Sequence, residues 1–116
     1  MDSYAWLEYF MGTEVGRKVK EIIDSEADEK LTPSISLAEI YAKILKTEDE
    51  QKAELCRAFI KSRSALIPLT EEVAVEAAKT DVAMKKKIRG WGFADSIVLS
   101  TARDRHGRVV AGDPHF

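Results

Sequence analysis

Apolar residues recur three and four positions apart in three stretches: Val15, Val19, Ile22 and Ile23; Leu37, Ile40, Tyr41, Ile44 and Leu45; and Phe93, Ala94, Ile97 and Val98, running on through Thr101 and Ala102. That spacing sets each group on one face of a helix. Further helices are predicted over residues 48–62 and 71–88, and Trp6, Tyr9 and Phe10 form an aromatic helical patch near the start of the chain. Between the helices lie apolar or β-branched pieces too short to be helices, at residues 31–35, 65–69 and 108–111, and these are the predicted strands. Strands alternating with helices predict an α/β fold with a parallel sheet covered on both faces, since each parallel connection needs a crossover of a dozen or more residues. In such sheets ligands bind beyond the carboxyl ends of the strands, so chemistry is expected at that edge.

The length of 116 residues fits one domain spanning 1–116. No apolar run approaches the roughly 20 residues of a membrane span, and Glu8 interrupts any early signal-like stretch, so no membrane partner and a cytoplasmic location are expected. A single cysteine, Cys56, excludes an internal disulfide and a cysteine zinc site, and it reads as a small helix hydrophobe. Eighteen basic and 20 acidic residues nearly cancel to a net charge of −2, so charge alone predicts no nucleic-acid partner. The chain has no asparagine and one glutamine, Gln51, a depletion of heat-labile amides that resembles hyperthermophile composition. There is no Ser-His-Asp relay, no glycine-rich phosphate loop and no redox cysteine pair, so those enzyme classes lack support.

Most acids lie on charge-mixed, solvated helix faces, as in Glu48-Asp49-Glu50. Asp2, Glu39, Asp95 and Asp113 differ, because each falls at an expected strand end or in a first helical turn. Gathered at one sheet edge they would repel unless a cation neutralised them, and hard oxygen ligands select Mg²⁺ or Mn²⁺. Such an ion suits hydrolysis of a phosphodiester. Each acid also has a structural reading: Ser36 with Glu39 spells a capping box, Asp95 complements a helix dipole, Asp113 before Pro114 forms a turn, and Asp2 is a frayed terminus. Apolar neighbours around Asp95, from Phe93 to Leu99, weigh against a merely solvated charge there.

Taken in order, Asp2-Ser3, Ser36-Leu37-Ala38-Glu39-Ile40, the run from Phe93-Ala94-Asp95-Ser96 to Ala102, and Gly112-Asp113-Pro114-His115-Phe116 resemble the PIN domains, the metal-dependent ribonucleases that include the VapC-type toxins. The resemblance implies a three-layer α/β/α sandwich with a central parallel sheet. It implies that Asp2, Glu39, Asp95 and Asp113 bind Mg²⁺ or Mn²⁺ and cleave single-stranded RNA endonucleolytically with a metal-activated water, Ser3 assisting the first acid. For a chain this short it further implies a homodimeric toxin silenced by a small antitoxin protein. Two departures stand out. Relatives carry several strand residues before the first acid, whereas only Met1 precedes Asp2 here, and Ala111 stands where a threonine is common.

Basic residues are expected to flank an acidic cleft that holds a polyanion, and Lys85, Lys86, Lys87 and Arg89 lead toward Asp95. Lys87 and Arg89 are candidate phosphate contacts. Trp91, between Gly90 and Gly92, is a candidate to stack on a base, packing at an interface being the alternative. Two other functions fit the same residues: a housekeeping RNA-processing nuclease, and a binding or scaffold protein that keeps the fold without turnover.

Overall fold

Side-chain oxygens start most of the helices. Asp2 accepts from the backbone N–H of Ala5 to begin α1 (Ser3–Met11), and Thr13 accepts from Gly16 to begin α2 (Glu14–Asp24). After β1 (Leu31–Pro33) and the helix α3 (Ser34–Thr47), Asp49 caps α4 (Glu50–Arg63) at Lys52. Following β2 (Ala65–Ile67), Thr70 caps α5 (Glu71–Lys85) at Val73, and α6 (Phe93–Asp104) closes the order. Each such cap satisfies one N–H that the helix cannot, which is why Asp and Thr sit there. The computed structural model describes residues 1–27, 29–107 and 109.

β1 and β2 pair in parallel, with Leu31 opposite Ala65, Thr32 opposite Leu66 and Pro33 opposite Ile67, and α3 and α4 form the crossover between them. The fold is a mostly helical α/β arrangement with a parallel sheet, as the alternation of elements predicts. Both strands are shorter than expected. Ser34 and Ile35 already belong to α3, and Pro68, which has no N–H to donate, ends the second ladder. The helix expected to reach residue 88 stops at Lys85, before Gly90 adopts a left-handed φ of 82°. The third predicted strand, residues 108–111, lies outside the described residues apart from Val109, which is not in a strand. Among the described residues no helix is long and apolar enough to cross a membrane.

The core gathers where α1 meets α2, α3 and α4. Trp6 is fully buried, as are Ala5 and Ile60, with Val19, Ile23 and Ile40 nearly so. The rings of Trp6 and Phe10 stack at 5.9 Å, those of Tyr9 and Phe59 at 5.4 Å, and Arg63 caps the Phe59 face at 5.4 Å. The aromatic patch expected near the N-terminus is therefore core. The Trp6 indole N–H donates to Thr32 Oγ1 at 3.0 Å, and that hydroxyl lies 2.7 Å from Ser64 Oγ, so a buried polar chain ties α1 to both strand ends. The backbone N of Met1 donates to the carbonyl of Leu31, which lays the chain start beside β1.

The α1–α2 contact depends on Gly16. A methyl group at this position would overlap the Glu8 carbonyl, lying 2.6 Å from its carbon and 3.0 Å from Tyr9 Cα. Alanine is favoured over glycine inside a helix by about 1 kcal/mol, but overpacking against backbone costs about 1–3 kcal/mol or more, so the clash wins. Gly16→Ala is expected to lower the urea midpoint with an unchanged slope; a midpoint at or above wild type would show that the two helices are free to separate.

Candidate active site

Three of the four expected acids fall within the described residues, on three different helices. Asp2, only 4% exposed, is the N-cap of α1, with one carboxylate oxygen 2.9 Å from the Ala5 nitrogen. The reading as a frayed terminus is thereby corrected, and so is the reading as a strand residue, since α1 begins at the next position. Ser3 then donates its hydroxyl to Glu39 Oε1 at 3.1 Å, linking the start of α1 to α3. Glu39 is not part of a capping box. Pro33 precedes α3 with no side-chain cap, and Ser36 lies inside the helix, fully buried.

Asp95 is in the first turn of α6 and reaches back, Oδ2 accepting from the Gly92 N–H at 2.9 Å. Beyond the helix-dipole role expected of it, Asp95 thus caps the helix, because the residue that starts α6 is a glycine with no side chain to do so. The same carboxylate lies in the field of Glu39. Burial on the protein side pushes the Glu39 carboxyl above the usual glutamate range; the Ser3 hydrogen bond opposes this and the charge of Asp95 adds to it. Two acids 56 positions apart, 39 and 95, therefore lie close enough for the charge of one to act on the other.

The convergence is looser than the expectation of one shared pocket. Among the described residues no three acids stand close enough to grip one ion. Asp2 turns toward Ala5 and Asp95 toward Gly92, each using an oxygen on a helix N–H. Asp113 lies outside the described residues. Two surface cavities lie elsewhere, one between α5 and α6 around Glu76 and Thr80, the other around Glu29 and Lys61. The donor chemistry nevertheless fits a hard divalent ion: carboxylate oxygens, two of them on residues whose mutual repulsion a cation would relieve.

The flanking residues divide. Lys87 and Arg89 are exposed in the segment leading to Gly92, in position to meet solvent anions. Trp91 corrects the expectation of base stacking. Its ring is 4% exposed and its indole N–H donates to Ser96 Oγ at 2.7 Å, so no face is offered to a base. Sequence reasoning missed two residues that this reveals, Ser96 and Asp81, although a signal existed: Val73, Ala77 and Asp81 are spaced by four along α5, which sets a charge on a buried stripe. Cys56 is half-buried on α4 and its thiol is pushed up by burial, in keeping with an inert hydrophobe.

The Glu39 shift has a defined sign. Its folded-state pKa lies above the unfolded value, so its contribution to stability is greatest below the ordinary glutamate range and is lost as pH rises through the raised value. A carboxyl-carbon NMR titration of the metal-free protein is expected to place Glu39 above a model peptide. Asp95→Asn is expected to bring it down and Ser3→Ala to push it further up; no response to Asp95→Asn would separate the two acids.

The comparisons with known proteins follow the same line. No curated protein matches the sequence. Among solved structures, the chain is similar to VapC20 of Mycobacterium tuberculosis, described as a sarcin-ricin loop cleaving toxin, with a TM-score of 0.73 over 91% of this chain and 82% of that one. At 14% identity the likeness is one of fold. The PIN domain family model matches residues 1–116, and the chain belongs to the PIN domain family.

Proposed function

We propose that the protein is a metal-dependent endoribonuclease of the VapC toxin type, hydrolysing phosphodiester bonds of single-stranded RNA. The observation that carries this reading is the Ser3 hydroxyl at the start of α1 bonded to Glu39 on α3, whose carboxyl also feels the charge of Asp95 on α6. Membership of a nuclease family and the likeness of fold to a toxin support it.

In this reading Asp2, Glu39, Asp95 and Asp113 hold Mg²⁺ or Mn²⁺. When bound, the ion supplies Lewis-acid chemistry, lowering the pKa of water and offsetting charge on the phosphoryl oxygens. The protein's own groups prepare the site. Ser3 orients Glu39 by donating to it, and the Gly92 N–H orients Asp95. Burial raises the Glu39 carboxyl in the metal-free protein, and a bound cation would favour its ionised form. Lys87 and Arg89 meet the RNA backbone, and the strand is read by groups other than the buried Trp91. A small antitoxin protein that masks the acidic edge, a homodimer and a cytoplasmic setting complete the proposal.

Incubation of the purified chain with single-stranded RNA is expected to give cleavage only with Mg²⁺ or Mn²⁺. Asp95→Asn should lower the rate on the order of 100-fold, the cost of removing one charge-stabilising group. Cleavage that persists in chelator and survives the substitution would overturn the mechanism, and metal-free RNA binding without turnover would favour a scaffold instead.

A further inference from the structure

Asp81 is 7% exposed, on the stripe that α5 turns toward α6. A carboxylate in such a place must be compensated on both oxygens. Oδ2 pairs with Lys85 Nζ at 2.9 Å, and Oδ1 accepts from Ser96 Oγ at 3.3 Å. Ser96 is fully buried, and its hydroxyl has one proton to give. With that proton directed to Asp81, its lone pairs accept the Trp91 indole N–H at 2.7 Å. An indole can only donate and a carboxylate can only accept, so the chain runs in one direction, from Trp91 through Ser96 to Asp81.

What this chain holds is the segment entering α6. Gly90 takes a left-handed φ of 82°, and Gly92 is the N-cap whose N–H donates to Asp95 Oδ2. Trp91 is the one large side chain between these two glycines, and it is anchored at its far end. We propose that Asp81 is a positioning residue: acting through Ser96 and Trp91, it holds the Gly90–Gly92 segment and thereby the orientation of the Asp95 carboxylate. Without Asp81 the Ser96 hydroxyl has a competing acceptor one helical turn back, the carbonyl of Gly92, which already accepts the Ser96 N–H at 3.4 Å. Turning that way redirects the lone pairs that receive the indole and pulls on the N-cap residue itself. Lys85 neutralises Asp81 from the solvent side, its side chain 52% exposed, and is dispensable to the relay.

The effect on RNA cleavage rests on the function proposed above, whereas the effect on the segment does not. The test is amide and indole hydrogen exchange by NMR on the full metal-free chain, whose two tryptophans give two indole signals. Asp81→Ala is expected to speed exchange at the Trp91 indole and the Gly92 amide roughly tenfold, as loss of one buried bond predicts, and to leave the Trp6 indole unchanged as an internal control. Asp81→Asn, which keeps an oxygen for Ser96, is expected to restore both signals to within about twofold of wild type, and with them a kcat that Asp81→Ala lowers at constant KM. Should Asp81→Ala fail to fold, Ser96→Ala removes the acceptor of the indole while keeping the Trp91 ring, and is read at the Gly92 amide. Unchanged exchange at Gly92 in whichever variant folds, or an Asp81→Asn variant as loose as Asp81→Ala, overturns the proposal. A wild-type chain that shows the exchange pattern but cleaves no RNA leaves the relay standing and removes the nuclease.

Discussion

The Glu39 carboxyl, raised by partial desolvation and tied to Ser3 in the field of Asp95, is the interaction on which the candidate site depends. Glu39 on α3 loses part of its water to the protein and the charge of Asp95 on α6 adds to the cost of ionising it, while Asp95 accepts the Gly92 N–H at a helix start. Packing elsewhere must hold them there. Trp6 under α1, the Trp6–Thr32–Ser64 chain and the parallel pairing of β1 with β2 fix the frame from which α3 and α6 depart. The electrostatic cost is concentrated in one place, and the stabilising burial is spread over many.

The polar groups that aim the acids are mostly backbone N–H groups at helix starts. Ala5 receives Asp2 and Gly92 receives Asp95, while a hydroxyl, Ser3, serves Glu39. A helix N-terminus leaves N–H groups without partners and carries partial positive charge, so an acid placed there is both capped and held in one rotamer. Capping therefore occupies, at Asp95 and Asp2, the same carboxylates that the proposed site would use. This explains why the two readings of these acids could not be told apart by spacing alone. The carboxylates satisfy the helices in the metal-free chain, and a cation would compete with those N–H groups for the same oxygens.

The buried relay on α5 and α6 adds a second level of support. Trp91, Ser96 and Asp81 pass hydrogen bonds inward from the segment before α6, so the placement of Asp95 depends on a chain that ends on the neighbouring helix α5. Low local polarity makes each link costly to leave unmade, which favours one arrangement of the segment over its alternatives.

Periodicity by itself determined the number and order of the helices, the two described strands and their parallel relation, because burial on one face imposes spacings of 3.6 and 2 on any chain. The residues Asp2, Glu39 and Asp95 were legible as candidates from residue type and position at element boundaries, and the ordered set resembled one family. Strand ends were misjudged by two residues, since Ser34 and Ile35 suit a helix start as well as a strand end and only the neighbouring turns decide. Tertiary structure alone decided that Trp91 faces inward: its glycine neighbours permit either direction, and a hydroxyl five residues on, backed by Asp81, selects one. It alone decided, too, that Ser3 reaches Glu39 across 36 residues and that Asp2 turns to its own helix, because such contacts depend on how helices cross and leave no periodic trace in the sequence.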